Sequence, residues 1–188
     1  MKKNLQSYSF TLVLKNVNQQ TPHLEDSLYE SGCDDALINF RDNTVYLDFD
    51  READSLENAV ISAIQSVESS TVGAEVTAVT PEDLVSESDI AKRLNKKRQM
   101  VSLWVKGERR ASHPFPHPVM KLADRSPFWR WYEIAQWLYD NKLLAKKEEV
   151  ENAHFLMHLN AALEERDPNI TRYRQHLLHR LHASHSAG

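Results

Sequence analysis

The chain carries a single cysteine, Cys33, in 188 residues. An intramolecular disulfide is thereby excluded, as are zinc sites built from four cysteines or from two cysteines and two histidines. Such scarcity fits a reducing compartment. Glycine is also scarce, four residues against seven prolines, which argues against a long flexible linker. No apolar run approaches the ~18 residues that a membrane span needs. The N-terminal MKKNLQSYSFTLVLKNVNQQ has two lysines but no apolar stretch long enough for a secretory leader. A soluble cytoplasmic protein with no membrane partner is expected. Missing too are a Gly-rich phosphate loop, a nucleophile beside a His–acid pair and a strong metal-ligand spacing. No enzyme, cofactor or metal is therefore expected.

What is present is ordinary in amount and uneven in arrangement. Apolar residues make up 41% and charged residues 27%, as in a globular protein of one large or two small domains. Residues 1–90 hold five bases and seventeen acids, whereas residues 91–145 hold twelve bases and four acids. The remainder, 146–188, is balanced at six of each. A basic segment inside an acidic chain points to phosphate, because binding follows the local field rather than the net charge of −4.

Over residues 1–80 the apolar periods describe an α+β domain. Tyr8, Phe10, Leu12 and Leu14 alternate as in a half-buried strand. Thr21-Pro22 reads as an N-cap with proline at the first helical position, Leu24 and Leu28 lie one turn apart, and Gly32 supplies the stop. Ala36 to Phe40 is a second strand, Arg41-Asp42-Asn43 a turn, and Thr44 to Asp50 a third strand. From Ala53 to Glu68 the spacing of Leu56, Val60, Ala63, Ile64 and Val67 is helical, and Ala74 to Val79 closes the set. Strand, helix, strand, strand, helix, strand is the order of a ferredoxin-like fold. Asp48 and Asp50 share a strand face near Glu52 and Asp54, which could hold a divalent cation, though surface acids at a strand end are the commoner case.

After Pro81-Glu82-Asp83, the stretch LVSESDIAKRLNKKRQMVSLWVKGERR predicts two short helices and a tight turn. Ser86 and Asp89 form a capping box and Val85 can staple onto Ile90. Asn95 suits the left-handed turn residue. The second helix is expected over about 97–106, with Val101, Trp104 and Val105 inward. Lys97, Arg98, Gln99, Ser102 and Lys106 then face outward, continued by Lys96, Arg109 and Arg110 on its flanks. Arg pairs with guanine, Gln with adenine, Ser with either, and Lys neutralises phosphate. An amphipathic helix with a basic solvated face explains the same residues. Alternate prolines in His113-Pro114-Phe115-Pro116-His117-Pro118 force an extended path. With Phe128-Trp129-Arg130-Trp131 it predicts a hairpin, or wing, over about 113–131. A helix from Tyr132 to Tyr139 closes the unit with Ile134, Trp137 and Leu138 inward.

The blocks L-V-S-x-x-D-I-A-x-R-L, R-Q-x-V-S-x-W, F-P-x-P-V and W-R-W-x-E-I-A-x-W-L together resemble the winged helix-turn-helix of the MerR/excisionase superfamily across Leu84–Leu138. The resemblance implies a DNA-binding domain over 84–140. Its second helix would enter the major groove, read bases through Arg98, Gln99 and Ser102, and have wing contacts near Lys121, Arg125 and Arg130. Three positions depart from the family pattern. Asn95-Lys96-Lys97 stands where Gly-Val-Ser is usual, Met100 where a small polar residue is usual, and Tyr132 replaces the cap of the last helix.

Residues 141–188 predict a helical hairpin, Lys146 to Glu165 and Pro168 to His182, able to dock on the winged unit or on a second subunit. His154 and His158 lie one turn apart, a spacing that can chelate a metal but more often marks a polar helix face. The functional expectation is a sequence-specific regulator of double-stranded DNA, acting as a homodimer. Its acidic N-terminal domain would sense a ligand or engage a protein partner, as in an antitoxin-like autorepressor. The alternative is a non-catalytic scaffold whose winged unit binds protein.

Overall fold

Alternation along the first strand sets the N-terminal core. β1 (Gln6–Lys15) buries Tyr8, Phe10, Leu12 and Leu14 and leaves Ser7 and Ser9 exposed, because successive strand side chains point to opposite faces. The computed structural model describes residues 5–109, 113–122 and 126–183. The chain is mixed α+β, and it divides into two compact units, Met1–Thr80 with His158–Gly188, and Pro81–Met157.

In the first unit β1 is followed by α1 (Leu24–Glu30), β2 (Ala36–Arg41), β3 (Thr44–Ala53), α2 (Leu56–Glu68) and β4 (Glu75–Thr80). The strands lie in the order β2-β3-β1-β4, antiparallel at every pairing. Asp42 and Asn43 both have positive φ, 48° and 64°, as a two-residue hairpin turn requires, and this fixes the β2–β3 register. Register sets Phe10 opposite Phe49, and the rings stack at 5.3 Å. The Ser55 hydroxyl accepts from the Asn58 N–H at 3.1 Å and starts α2, whose face of Leu56, Ala59, Val60, Ala63, Ile64 and Val67 is buried. Arg51 clamps the α1–β2 connection: its Nε and Nη2 donate to the two carboxylate oxygens of Asp35 at 2.7 and 2.8 Å, and Nη2 also donates to the Gly32 carbonyl. Burial raises the pKa of the Cys33 thiol, as for a small core residue.

One cap differs from expectation. Thr21-Pro22 does not start α1; its N-cap is His23, at φ 55° and without a side-chain bond. Thr21 instead accepts from the Asn18 N–H at 2.9 Å, a turn that competes locally with helix capping.

Edge strands need covering. On β4 the Asn160 carboxamide donates to the Val79 carbonyl at 2.8 Å and accepts from the Val79 N–H at 2.7 Å, standing in for a neighbouring strand. Glu68 accepts from the Val76 N–H at 3.1 Å and also pairs with Arg166. Asn160→Ala removes two hydrogen bonds at once, and urea unfolding followed by far-UV circular dichroism is expected to show a loss of about 1–2 kcal/mol.

The second unit begins with β5 (Leu84–Val85), α3 (Glu87–Arg93) and α4 (Arg98–Val105), and continues through β6 (Trp129–Arg130) to α5 (Trp131–Asp140). The capping box is present, with the Asp89 carboxylate accepting from the Ser86 N–H at 2.9 Å and from its hydroxyl at 2.6 Å. These bonds lower the Asp89 pKa. The wing is paired differently from expectation. β6 joins β5 in the register Leu84↔Arg130 and Val85↔Trp129, while the end of the proline-rich arm meets Phe128 at Val119 and Met120. Proline supplies no N–H, so the arm is fixed through its carbonyls. The Trp129 and Trp137 indoles donate to the carbonyls of Pro116 at 3.0 Å and His113 at 2.9 Å. Phe115 then packs edge-on between both rings, centroids 6.0 and 5.0 Å away.

Trp131 begins α5 rather than ending the strand. The cap missing at Tyr132 comes from the linker, where Asp83 accepts from the Tyr132 N–H at 3.4 Å through its carboxylate and from the Trp131 N–H through its carbonyl. After α5 run α6 (Glu148–Glu164) and α7 (Pro168–Ala183). The boundary between the units falls within α6, so residues 141–188 are divided: Leu144 and Ala153 join the core of the second unit, and Asn160 serves the sheet of the first. Among the described residues no helix is long and apolar enough to cross a membrane, and no group of three or more His, Cys, Asp or Glu could hold a metal ion.

Candidate nucleic-acid interface

The α3–α4 pair owes its geometry to a small buried set. Ile90, Ala91, Val101 and Trp104 enter one core with Trp129, Ile134 and Leu138. Asn95, at φ 50°, makes the turn, and the Lys96 N–H bonds the Ala91 carbonyl at 2.8 Å. Asn adopts this left-handed conformation more readily than most residues. α4 ends on Gly107, at φ 71°, with the Glu108 N–H returning to the Leu103 carbonyl.

Inward packing leaves a cationic outer surface. Lys96, Lys97, Arg98, Gln99, Lys106 and Arg109 are exposed, whereas Ser102 is half-buried. Lys97 is the N-cap of α4 and makes no side-chain cap bond, so the start of this helix is unshielded by any acid of its own. Met100 packs against the core. Arg93 is turned away from this outer surface. It lies over the Trp131 ring at 4.8 Å and donates to the Glu82 carbonyl at 2.7 Å, and burial lowers its pKa. Its Nη1 is buried without a hydrogen-bond partner.

Arg98 has a partner that sequence spacing did not suggest. Its Nε donates to Glu87 in the first turn of α3 at 3.3 Å; the glutamate side chain is 17% exposed and the arginine 59%. A contact through Nε leaves the guanidinium edge carrying Nη1 and Nη2 for an outside acceptor. Arg98 and Lys121 also line one cleft of about 180 Å³, together with Ser86, Ser88 and Ser126. The cleft thus bears two cations, three hydroxyls and the Glu87 carboxylate. Spacing does not bring these hydroxyls together, since Ser86 serves as a helix cap and Ser126 lies more than 25 residues from Arg98.

The wing residues separate. Lys121 is exposed, with φ 53°, and its ammonium lies 5.0 Å from the Phe128 ring centroid. Arg130 is held by Asp83 at 3.0 Å, a contact that ties β6 to the linker. Arg110 and Arg125 lie outside the described residues. The arrangement can bind an extended polyanion across α4 and the wing, with amide and guanidinium donors available for directional hydrogen bonds.

No family model, no curated protein and no solved structure matches the chain.

Proposed function

We propose that the chain is a transcriptional regulator that binds duplex DNA and reads its sequence through α4. One observation carries this reading: Lys96, Lys97, Arg98, Lys106 and Arg109 stand exposed along the second helix of a tight helical pair and at its two ends. A helix of that kind fits the major groove, where Arg98 can pair with guanine and Gln99 with adenine while the lysines meet phosphates. The order α3, α4, Met120–Phe128 bridge, β5–β6 pair and α5 supports a winged helix-turn-helix, with Lys121 on the wing toward the DNA backbone. The βαββαβ order and the β2-β3-β1-β4 sheet likewise support a ferredoxin-like N-terminal unit. Its role in this reading is partner binding or sensing, of which antitoxin-like autorepression is one form. A homodimer would span two half-sites ~10 bp apart.

A second reading, a protein-binding scaffold, is favoured by Val119, Met120 and Leu122, which expose apolar surface on the wing. Genomic-fragment selection with the purified full chain separates the two. A regulator enriches fragments sharing a motif, and Arg98→Ala with Gln99→Ala erases the enrichment. Recovery of fragments in proportion to their input rules out sequence reading and leaves the scaffold.

A further inference from the structure

The sheet of the first unit ends differently at its two edges. β4 is finished by the Asn160 carboxamide, and its pairing with β1 carries a register shift at Val13/Leu14. Both devices discourage a further strand. β2 has neither. Its register with β3 is regular over Ala36–Arg41, and its sequence ALINFR contains no proline, no lysine and no acid.

Hydrogen-bond parity decides which backbone groups of β2 face outward. The two-residue turn at Asp42–Asn43 makes Arg41 and Thr44 a bonded pair, and the Asp50 N–H donates to the Asp35 carbonyl at 3.2 Å. The odd-numbered residues of β2 therefore bond β3, whereas Ala36, Ile38 and Phe40 turn their N–H and C=O groups to the open edge. The Ala36 N–H is taken by the Cys33 carbonyl at 3.2 Å. Among the described residues, no hydrogen bond reaches the outward groups of Ile38 and Phe40.

We infer that two copies of the chain pair antiparallel along β2, with Asn39 on the two-fold axis. In this register Ile38 exchanges both of its groups with Phe40 of the other copy, and the symmetric exchange doubles the bonds to four. The Ala36–Cys33 bond is kept. An axis at Ile38 would instead set Phe40 against Ala36 of the other copy, whose N–H is already committed. Side chains agree with the Asn39 register. Ile38 meets Phe40 of the other copy on one face, an apolar pair made twice. Leu37, 65% exposed, meets the stem of Arg41 on the other face, so no like charges are opposed. Arg41 has only a 3.7 Å contact to Asp42, and Asp48 lies opposite Leu37 on β3. Arg41 and Asp48 of the other copy are then two strand spacings apart, about 10 Å between Cα atoms, which their side chains can bridge. The paired sheet has β4 at both outer edges, each finished by Asn160, so growth stops at two copies. Such a pairing supplies an interface for the homodimer proposed above, and it depends on β2 alone, whether or not α4 binds DNA.

Sedimentation of the full chain over a concentration series tests the pairing, with circular dichroism as the control for folding. A six-residue edge buries less than the ~1,600 Å² of a standard interface, so a weak dimer is expected, with Kd about 10–100 µM. Leu37→Lys changes an exposed side chain and sets a lysine opposite Arg41 of the other copy. It is expected to weaken the dimer about tenfold, since the axis counts each change twice. Adding Arg41→Glu to the same chain restores the dimer, because lysine then faces glutamate. Oxidation is expected to join Asn39→Cys to its own copy, the Cα atoms lying about 4.5 Å apart across the axis, and not to join Leu37→Cys. Cys33 is buried and does not compete. A monomer throughout the series overturns the inference. So does a dimer indifferent to Leu37→Lys, or one that the added Arg41→Glu fails to restore. Crosslinking through Leu37→Cys and not through Asn39→Cys overturns the register.

Discussion

Trp129→Ala is expected to unfold the Pro81–Met157 unit under conditions where the wild type is intact. Trp129 is fully buried, packs edge-on to Phe115 and lies in the core with Ile134 and Leu138. Truncating a buried aromatic ring costs about 3–5 kcal/mol through lost contacts and the cavity left behind. The substitution also leaves the Pro116 carbonyl without the indole donor, at a further cost of about 1–3 kcal/mol, and the arm has few other anchors because its prolines donate nothing. A domain of this size has about 5–15 kcal/mol in hand, so the loss approaches the whole. The readout is unusually clean. All four tryptophans, Trp104, Trp129, Trp131 and Trp137, belong to the second unit, so tryptophan fluorescence follows that unit alone. Its urea midpoint is expected to fall by about 2 M or more. Trp129→Phe keeps most of the packing and loses the hydrogen bond, and a shift of less than half that size is expected. Equal shifts for the two would show that the indole–carbonyl bond, and not ring volume, holds the arm.

Replacing Lys96, Lys97, Lys106 and Arg109 together by glutamine is expected to weaken duplex DNA binding about a hundred- to a thousand-fold near 0.1 M salt. Each phosphate contact releases bound counterions, so four fewer contacts flatten the dependence of log K on log salt by roughly 3 to 4. All four side chains are exposed, and surface changes of this kind alter stability by no more than about 0.5 kcal/mol each. The loss is therefore electrostatic rather than a consequence of unfolding. Arg98→Ala should behave differently. Losing one bidentate base contact narrows the gap between target and unrelated duplex by about 1–3 kcal/mol and leaves unrelated duplex bound nearly as before. A uniform weakening by Arg98→Ala, with the gap intact, would make Arg98 a phosphate contact.

Elements governed by neighbouring residues were legible in the sequence. The Asp42–Asn43 turn, the Ser86–Asp89 box and the Asn95 turn are each decided within four residues, and each lies where turn chemistry and capping predict, whereas α2 starts at Leu56 behind its Ser55 cap and not at Ala53, which ends β3. What could not be read is what crosses the chain. Asp83 caps α5 from 49 residues away, the Asn160 carboxamide finishes the β4 edge from 81 residues away, and β5 and β6 are two-residue strands with no period to detect. At Thr21-Pro22 two turn chemistries competed for one hydroxyl, and the turn took it. Within the interface, the outward cations of α4 followed from the inward Val101 and Trp104. The Glu87 partner of Arg98 and the tie of Arg130 to Asp83 depended on the α3–α4 and linker–β6 packing, which spacing alone does not encode.

The pairing of Arg98 with Glu87 bears on selectivity. An arginine that already shares Nε with a neighbouring carboxylate has fewer orientations to lose on meeting a base, which favours directional readout over loose phosphate contact. The same carboxylate lines the cleft with Arg98 and Lys121, so an anion approaching there meets one negative and two positive groups. Directional readout rather than simple charge attraction is what this balance favours.

The measurement that bears most directly on the reading of α4 is fluorescence anisotropy of labelled duplex DNA titrated with the full-length chain from about 20 to 200 mM salt. Binding at the low end, falling linearly in log–log form with a slope that drops when Lys96, Lys97, Lys106 and Arg109 are neutralised, is the predicted result. Absence of binding at the lowest salt, or binding whose slope is indifferent to those four residues, would contradict it.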